Sequence, residues 1–590
     1  MILDVRWRNR LIALGCFAIV LGVHAALPFL AMPTLGQALW TTGFSASFVR
    51  GGLLNLYAHD FGIPTPAPIV FGLPGAYPAG LAIGAGMHPG DAYALVLCLW
   101  LAVAFWGAAR VAKLWLPAPL ASLAAATWLT LPLVWNHAHY SMLSMGFALL
   151  PTYHLALLTL LRRPPVTRRQ TVGLAVGYAL AASVAVFMDG YTFVFFAVGA
   201  SALLAAGLWT QPDQRRALLR FGLPLHALSL ALAVGLYRAY VGHTTFYQEP
   251  MEAFRGWGVD LRFLVLPSRG THWLADAVGL SEPRSTLEQF GDASVWQTSF
   301  LLPLLLAGGW AAWRTRARFT LAVVAVALFA GWMALGPSVK YHHLRPLALQ
   351  AAPNPLMPAE LAGPRTGTSL LSKHLPGFKN MRASYRWLGL TALALWLLVI
   401  VWLAQPGARR RWLVLLGILL LNLPNPLAKW RAALDYRTNL RQLDGDVLAD
   451  LRQTLVPRER VAFLPFGNDF LINYLAPQLD IRAYNIGGDK NLAQARLAWP
   501  ATLQAFPMLQ VDADFVPRVH ALLQHDADAV VLPYFDLLWA AHHWPCGEQH
   551  LAKCPPQIAA DLAPTVRALA ALPDLKVTLR PRYALVRKLR

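Results

Sequence analysis

Residues 51–89 read GGLLNLYAHDFGIPTPAPIVFGLPGAYPAGLAIGAGMHP. The stretch lies between two hydrophobic segments, and its density of Gly and Pro rules out one continuous membrane helix. At its centre stand His59 and Asp60, flanked by Tyr57 and Phe61. No other residue of the stretch carries a negative charge. A carboxylate in an apolar, structured loop at a membrane face is costly to keep ionised, so its presence there points to use. Asp60 is the candidate catalytic base, with His59 beside it to orient it or to bind a phosphate. The alternative is that Asp60 caps a turn ahead of Gly62 and Pro64.

Working outward, the 590 residues are 57% hydrophobic and 13% charged, against roughly 45–50% and 25% in soluble domains. The shortage of charge identifies an integral membrane protein. The net charge of +21 would suggest nucleic acid in a soluble chain. Here most Lys and Arg sit in short clusters between apolar runs, which fits membrane topology and anionic lipid. No zinc-finger spacing or RNA-binding signature is present, so no nucleic-acid partner is expected.

About eleven runs approach the roughly 20 apolar residues that a spanning helix needs. They fall near 11–31, 91–111, 117–135, 141–161, 170–188, 191–209, 221–241, 297–313, 319–337, 386–404 and 412–428. The first run is too long for a signal-peptide core and is read as a retained helix. Every second connection is short and basic: Arg6, Arg8 and Arg10; Arg110 and Lys113; Arg162 to Arg169; Arg215, Arg216 and Arg220; Arg314, Arg316 and Arg318; Arg409 to Arg411. The positive-inside rule makes these cytoplasmic. The N-terminus is then cytoplasmic, and the loops 32–90, 242–296 and 338–385 face outward. In a bacterial inner membrane the tail is periplasmic.

The expected fold class is a polytopic α-helical membrane protein with a C-terminal soluble α/β domain. Residues 1–429 form the membrane domain and 430–590 the outer domain. Short apolar runs at Val461–Leu464, Ala529–Leu532, Val577–Leu579 and Ala584–Val586 alternate with helical stretches, which predicts strands and helices. The tail has no Gly-rich nucleotide fingerprint. Cys546 and Cys554 lie close together there and suit a local disulfide in an oxidising compartment, or two free thiols otherwise. Leu35 to Tyr57 has helical apolar spacing and predicts an amphipathic helix in the membrane interface.

Four other groups can carry chemistry. His137 and His139 on one short outer turn can contact phosphate or a divalent metal, or simply be solvated. Asp189 is a second acid at an outer helix end. Lys340, His342, His343 and Arg345 form one basic group, and Lys379, Arg382 and Arg386 another, against the positive-inside bias. A phosphate ligand explains them, since Arg makes bidentate charge-assisted bonds to it; the alternative is contact with outer lipid head groups. Arg382 and Arg386 are four apart and share a helical face. Asp260 and the other acids of 242–296 show no diagnostic spacing.

The arrangement resembles the GT-C superfamily of membrane glycosyltransferases. The resemblance rests on the basic N-terminus, the first helix, an outer loop with an early acid and a soluble outer tail. His59-Asp60-Phe61-Gly62-Ile63-Pro64 with Gly72-Leu73-Pro74-Gly75-Ala76-Tyr77-Pro78 is similar to that group's first-loop region. Phe378 to Trp387 is similar to a stretch of YfhO-like membrane proteins in which Arg-x-x-x-Arg precedes a late helix. The resemblance implies a polyprenyl-phosphate-linked sugar as donor, membrane lipid as surroundings and a glycan, lipid or protein acceptor. It implies direct inverting transfer at the outer face, with Asp60 as base and the basic groups on the leaving phosphate. The family's paired acidic motif is His-Asp here, which leaves a divalent metal open. A lipid-linked glycan flippase or an envelope assembly protein is the competing class, but almost no ionisable residue lies mid-helix to line a path.

Overall fold

The computed structural model describes residues 5–137, 141–242, 248–315, 317–350, 356–406, 412–546 and 553–589. Arg316, Arg409, Arg410 and Arg411 of the basic connections, and His139 of the outer turn, lie outside the described residues. The chain is mostly helical, and its contacts divide it into two compact units. One comprises Met1–Ala25 and Cys98–Trp430; the other comprises Ala26–Leu97 and Arg431–Arg590. The first outer loop thus belongs to the same unit as the tail.

Among the described residues, six helices are long and apolar enough to cross a membrane. They are Pro89–Ala112, Met142–Arg162, Arg168–Met188, Gly190–Thr210, Pro212–Val241 and Ser384–Leu403. Three shorter apolar helices are Ala118–Leu129, Arg318–Ala334 and Trp412–Leu421. The shortening has local causes. The run at 117–135 breaks at Leu131, which is extended (ψ 140) because Pro132 follows it and begins a new turn. The run at 412–428 stops ahead of Pro424 and Pro426. The run at 297–313 divides into Ala293–Thr298 and Leu302–Arg314, with Pro303 in the first turn of the second.

The second unit is built on strands. β1 (Tyr57–Ala58) and β2 (Ala67–Pro68) make a small antiparallel hairpin in the first loop. β3 (Arg460–Phe463), β4 (Arg482–Ala483), β5 (Ala529–Pro533), β6 (Leu575–Leu579) and β7 (Tyr583–Lys588) form a five-stranded sheet in the order β4-β3-β5-β7-β6. The pairs β3–β4 and β3–β5 are parallel; β5–β7 and β6–β7 are antiparallel. β3, β5 and the inner strand β7 are buried almost throughout, as continuous apolar runs require.

The Gly36–Arg50 helix corrects the expectation of an interfacial amphipathic element. It is buried from Gly36 to Phe48, on all faces. Small residues permit this. A Cβ at Gly43 would collide with the Asn473 carbonyl on one side, and a Cβ at Gly80 would press on the Ser45 carbonyl on the other. Ser45 Oγ donates to Ala76 O at 2.7 Å, and Trp40 Nε1 to Gly487 O at 2.8 Å. Small side chains on two sides let backbones approach closely, so the helix serves as core between Leu73–Gly84 and Phe470–Leu479. In the same unit Arg437 grips Asp91 with both ends of its guanidinium.

The loop after β3 holds a buried acid. Asp469 accepts from Gly467 N at 3.0 and 3.2 Å and from Asn485 Nδ2 at 2.6 Å. Asn485 also bonds Phe463 N and O, closing the end of β3. Burial pushes the Asp469 carboxyl up to about 7, against these hydrogen bonds. The folded chain therefore holds a proton that the unfolded chain releases near pH 4. Stability from this group is greatest below that range and falls as pH rises through 7, by on the order of a few kcal/mol. We expect the full-length protein in nanodiscs to lose melting temperature between pH 5 and 7.5. In Asp469→Asn, which keeps the acceptor, that loss should at least halve.

Candidate functional site

Asp60 is fixed by main-chain pairing within the second unit. Ala483 N donates to Asp60 O at 2.8 Å, Gly62 N to Asn485 O at 3.2 Å and Ile63 N to Ala483 O at 3.3 Å. Phe61 bridges Ala483 in parallel register, so the loop continues the sheet beyond β4. The Asp60 residue is 8% exposed. Its Oδ1 lies 3.6 Å from Arg50 Nε. Arg50 closes the Gly36–Arg50 helix, pairs with Asp480 and donates to Pro477 O at 2.8 Å. Among the described residues Asp60 Oδ2 has no hydrogen-bond partner.

Opposing influences act on this carboxyl. Burial raises its pKa; the Ser47 hydroxyl and Arg50 lower it, Asp480 raises it and His59 lowers it. Burial wins, so the group sits above the ordinary carboxylate range. A base needs that quality, because a carboxylate that binds its proton more tightly abstracts one more readily. His59 is exposed, donates its backbone N–H to Ser47 Oγ at 3.0 Å, and lines a cavity that Asp60 does not. Tyr57 lies in β1, where its carbonyl accepts from Asn55 Nδ2 at 2.8 Å.

In the first unit the basic residues fall into two roles. Lys340 is buried, its ammonium donates to Arg255 O, and burial lowers its pKa to about 7. Asp260 is buried nearby and gathers the backbone N–H groups of Arg262, His342 and His343 at 2.9 to 3.0 Å. Arg345 donates to Thr286 O at 3.0 Å and to Leu349 O. These residues lock the two long loops together.

The second role belongs to a cluster around Tyr385. Its hydroxyl lies 3.0 Å from His137 Nε2, 2.6 Å from Ser294 Oγ and 3.3 Å from Arg386 Nε. The Arg386 guanidinium stands over the Tyr191 ring at 4.7 Å and is an electrostatic neighbour of Asp189. Asp189 caps the Gly190–Thr210 helix through Thr192 N at 2.9 Å. Arg382 pairs with Glu249 and stands over Trp257 at 5.5 Å. His137, Asp189 and Arg386, distant in sequence, are thus joined around Tyr385 and Tyr191, and Arg382 is a further electrostatic neighbour of Tyr191. Lys379 is exposed.

Cys546 and Cys554 are joined by a disulfide. Among the described residues, no three His, Cys, Asp or Glu side chains converge to hold a metal ion. Arg50 escaped the reading of the sequence, although a signal existed: it is the only Lys or Arg between Arg10 and Arg110. Nothing local in sequence marks Asp480, Tyr191 or Tyr385 as partners.

No protein-family model matches the chain, and no curated protein matches it. Solved structures do. Arabinofuranosyltransferase AftD from Mycobacteria matches at 14% identity and TM-score 0.51, over 100% of this chain and 40% of that one. ArnT from Cupriavidus metallidurans, bound to undecaprenyl phosphate, matches at 12% identity and TM-score 0.52, over 99% of this chain and 98% of that one. Its apo form gives 13% and 0.51. The chain therefore spans less than half of AftD and nearly all of ArnT. The likeness is one of fold: this chain shares the fold of ArnT and of part of AftD.

The Asp260 brace yields an expectation of its own. Asp260→Ala leaves three part-buried backbone donors and the buried Lys340 side chain without their anion, which costs about 3 kcal/mol. A melting curve of the full-length variant should move down, and limited proteolysis should cut faster within 249–300 and 338–350.

Proposed function

We propose that this chain, which has the GT-C fold, is an integral membrane glycosyltransferase. It moves a sugar from a polyprenyl-phosphate donor to an acceptor hydroxyl, with inversion, at the periplasmic face of a bacterial inner membrane. Asp60 is the base. The observation that carries the reading is the state of that carboxyl: desolvated, raised in pKa, tethered by a sheet, with Oδ2 uncommitted among the described residues. The ArnT structure with undecaprenyl phosphate supports the donor class.

The chemistry asks little beyond this. Asp60 takes the proton of the attacking hydroxyl as the new glycosidic bond forms. The bond to the carrier phosphate breaks, and the phosphate leaves with an added negative charge. Stabilising that charge calls for fixed cations, a role that guanidinium groups fill without reorganising. Within the first unit, Arg382 and Arg386 are cations held over aromatic faces, Arg382 also by Glu249.

Purified protein in nanodiscs, given a labelled polyprenyl-phosphate sugar and acceptor, should release polyprenyl phosphate. Asp60→Asn should lower turnover by about 10²-fold or more with an unchanged melting temperature. Turnover near wild type in that variant would overturn the assignment.

The pH profile offers a second check. Transfer needs ionised Asp60, so the rate falls as pH drops through its raised pKa. Arg50→Gln removes a charge that lowers this pKa and should move the acid limb to higher pH. Asp480→Asn removes one that raises it and should move the limb to lower pH. Asp480 has φ +57, a conformation that Asn tolerates, so the second variant is mild.

A further inference from the structure

Beside His59 lies a cavity of about 470 Å³, within the second unit, which Asp60 does not line. Its walls are the 63–66 segment, the outer edge of the sheet and the turn at 498–500. Its polar groups are His59, Thr65, Arg460, Arg482, Tyr484 and Asp526. The size falls in the range of about 300–1,000 Å³ typical of small-molecule sites.

The charges are not equivalent. Arg460 is bound at both ends to Asp528, Nε to Oδ2 at 3.2 Å and Nη2 to Oδ1 at 2.9 Å, and so contributes no free charge. Tyr484 is anchored through its hydroxyl to Asp526 O at 2.7 Å. Asp526 accepts from Thr502 at 2.5 Å. Arg482 differs: among the described residues its exposed guanidinium makes no hydrogen bond or ion pair, while its backbone is held in β4. A fixed tether with an uncommitted planar cation suits a carboxylate or phosphate. The neighbouring mix of donors, a carboxylate, prolines and a tyrosine suits a hydroxyl-rich ligand with an apolar ring face.

We propose that this cavity is a remote binding subsite for an acidic saccharide of the acceptor, with Arg482 taking its acid group. The inference rests on the transferase reading for the word acceptor; the binding itself does not. The subsite adjoins the segment that carries Asp60 but is not lined by it, so it holds a part of the acceptor that does not react. Binding of non-reacting parts lowers KM and positions the reacting hydroxyl.

The test uses full-length protein in nanodiscs on a printed panel of neutral and acidic oligosaccharides of equal length. Wild type and the transfer-dead Asp60→Asn should both be retained on acidic saccharides. Arg482→Gln, at an exposed side chain, and Thr65→Trp, which fills the cavity, should each lose at least tenfold in apparent affinity with unchanged melting temperature. No retention on any saccharide, equal retention on neutral ones, or retention that neither variant alters would overturn the subsite. Retention that depends on Arg482, in a protein that transfers no sugar, would uphold it and overturn the transferase reading instead.

Discussion

Everything about Asp60 depends on a short piece of backbone pairing. The main chain at 60–63 hydrogen-bonds to residues 483 and 485, extending a sheet whose strands come from the far end of the chain. A sheet edge exposes unpaired N–H and C=O groups, and covering them is favourable in itself. Here the cover is the loop with the candidate base. A residue that would otherwise ride on a mobile connection is set by the geometry of a strand. The Gly36–Arg50 helix completes the arrangement, since its C-terminal Arg50 reaches both Asp60 and Asp480.

The electrostatics follow from that placement. An anion buried without a counterion would be neutralised or expelled. Arg50 keeps Asp60 tolerable, and Asp480 competes for the same guanidinium, so the balance is left to burial. The first unit solves a related problem differently. Lys340 and Asp260 are buried to hold loops, whereas Arg382 is held between Glu249 and the Trp257 ring and Arg386 stands over the Tyr191 ring.

Parts of this were legible in the sequence for clear reasons. The apolar runs and basic connections located most helices, because length and charge alone decide those. The runs at 461, 529, 577 and 584 became β3, β5, β6 and β7, and three of them, β3, β5 and β7, are buried almost throughout, as continuous apolar stretches are. β4 has only two residues and leaves no such trace. The Gly36–Arg50 helix was misread because apolar spacing looks the same whether the other face meets water or Gly80 and Ala76. Asp60 stood out by isolation; Arg50 stood out equally and was overlooked. Loop-bracing Lys340 and ring-stacked Arg386 look alike in one dimension, because partners such as Asp260 and Tyr191 are far away along the chain.

The second unit is assembled from two stretches far apart in the sequence, Ala26–Leu97 and Arg431–Arg590. Trp40 meets Gly487, 447 positions later, and Pro68 meets Asn491, 423 positions later. At ribosomal speeds of about 5–20 residues per second, the early segment waits roughly 20 s to more than a minute for its partners. During that interval the Gly36–Arg50 helix has no core to enter, and the extended 57–68 segment has unpaired edges. Biogenesis of this unit is thus post-insertional: its last step cannot precede synthesis of the final strands, and a nascent chain stalled before them would present a sticky, unfinished surface to the quality-control machinery.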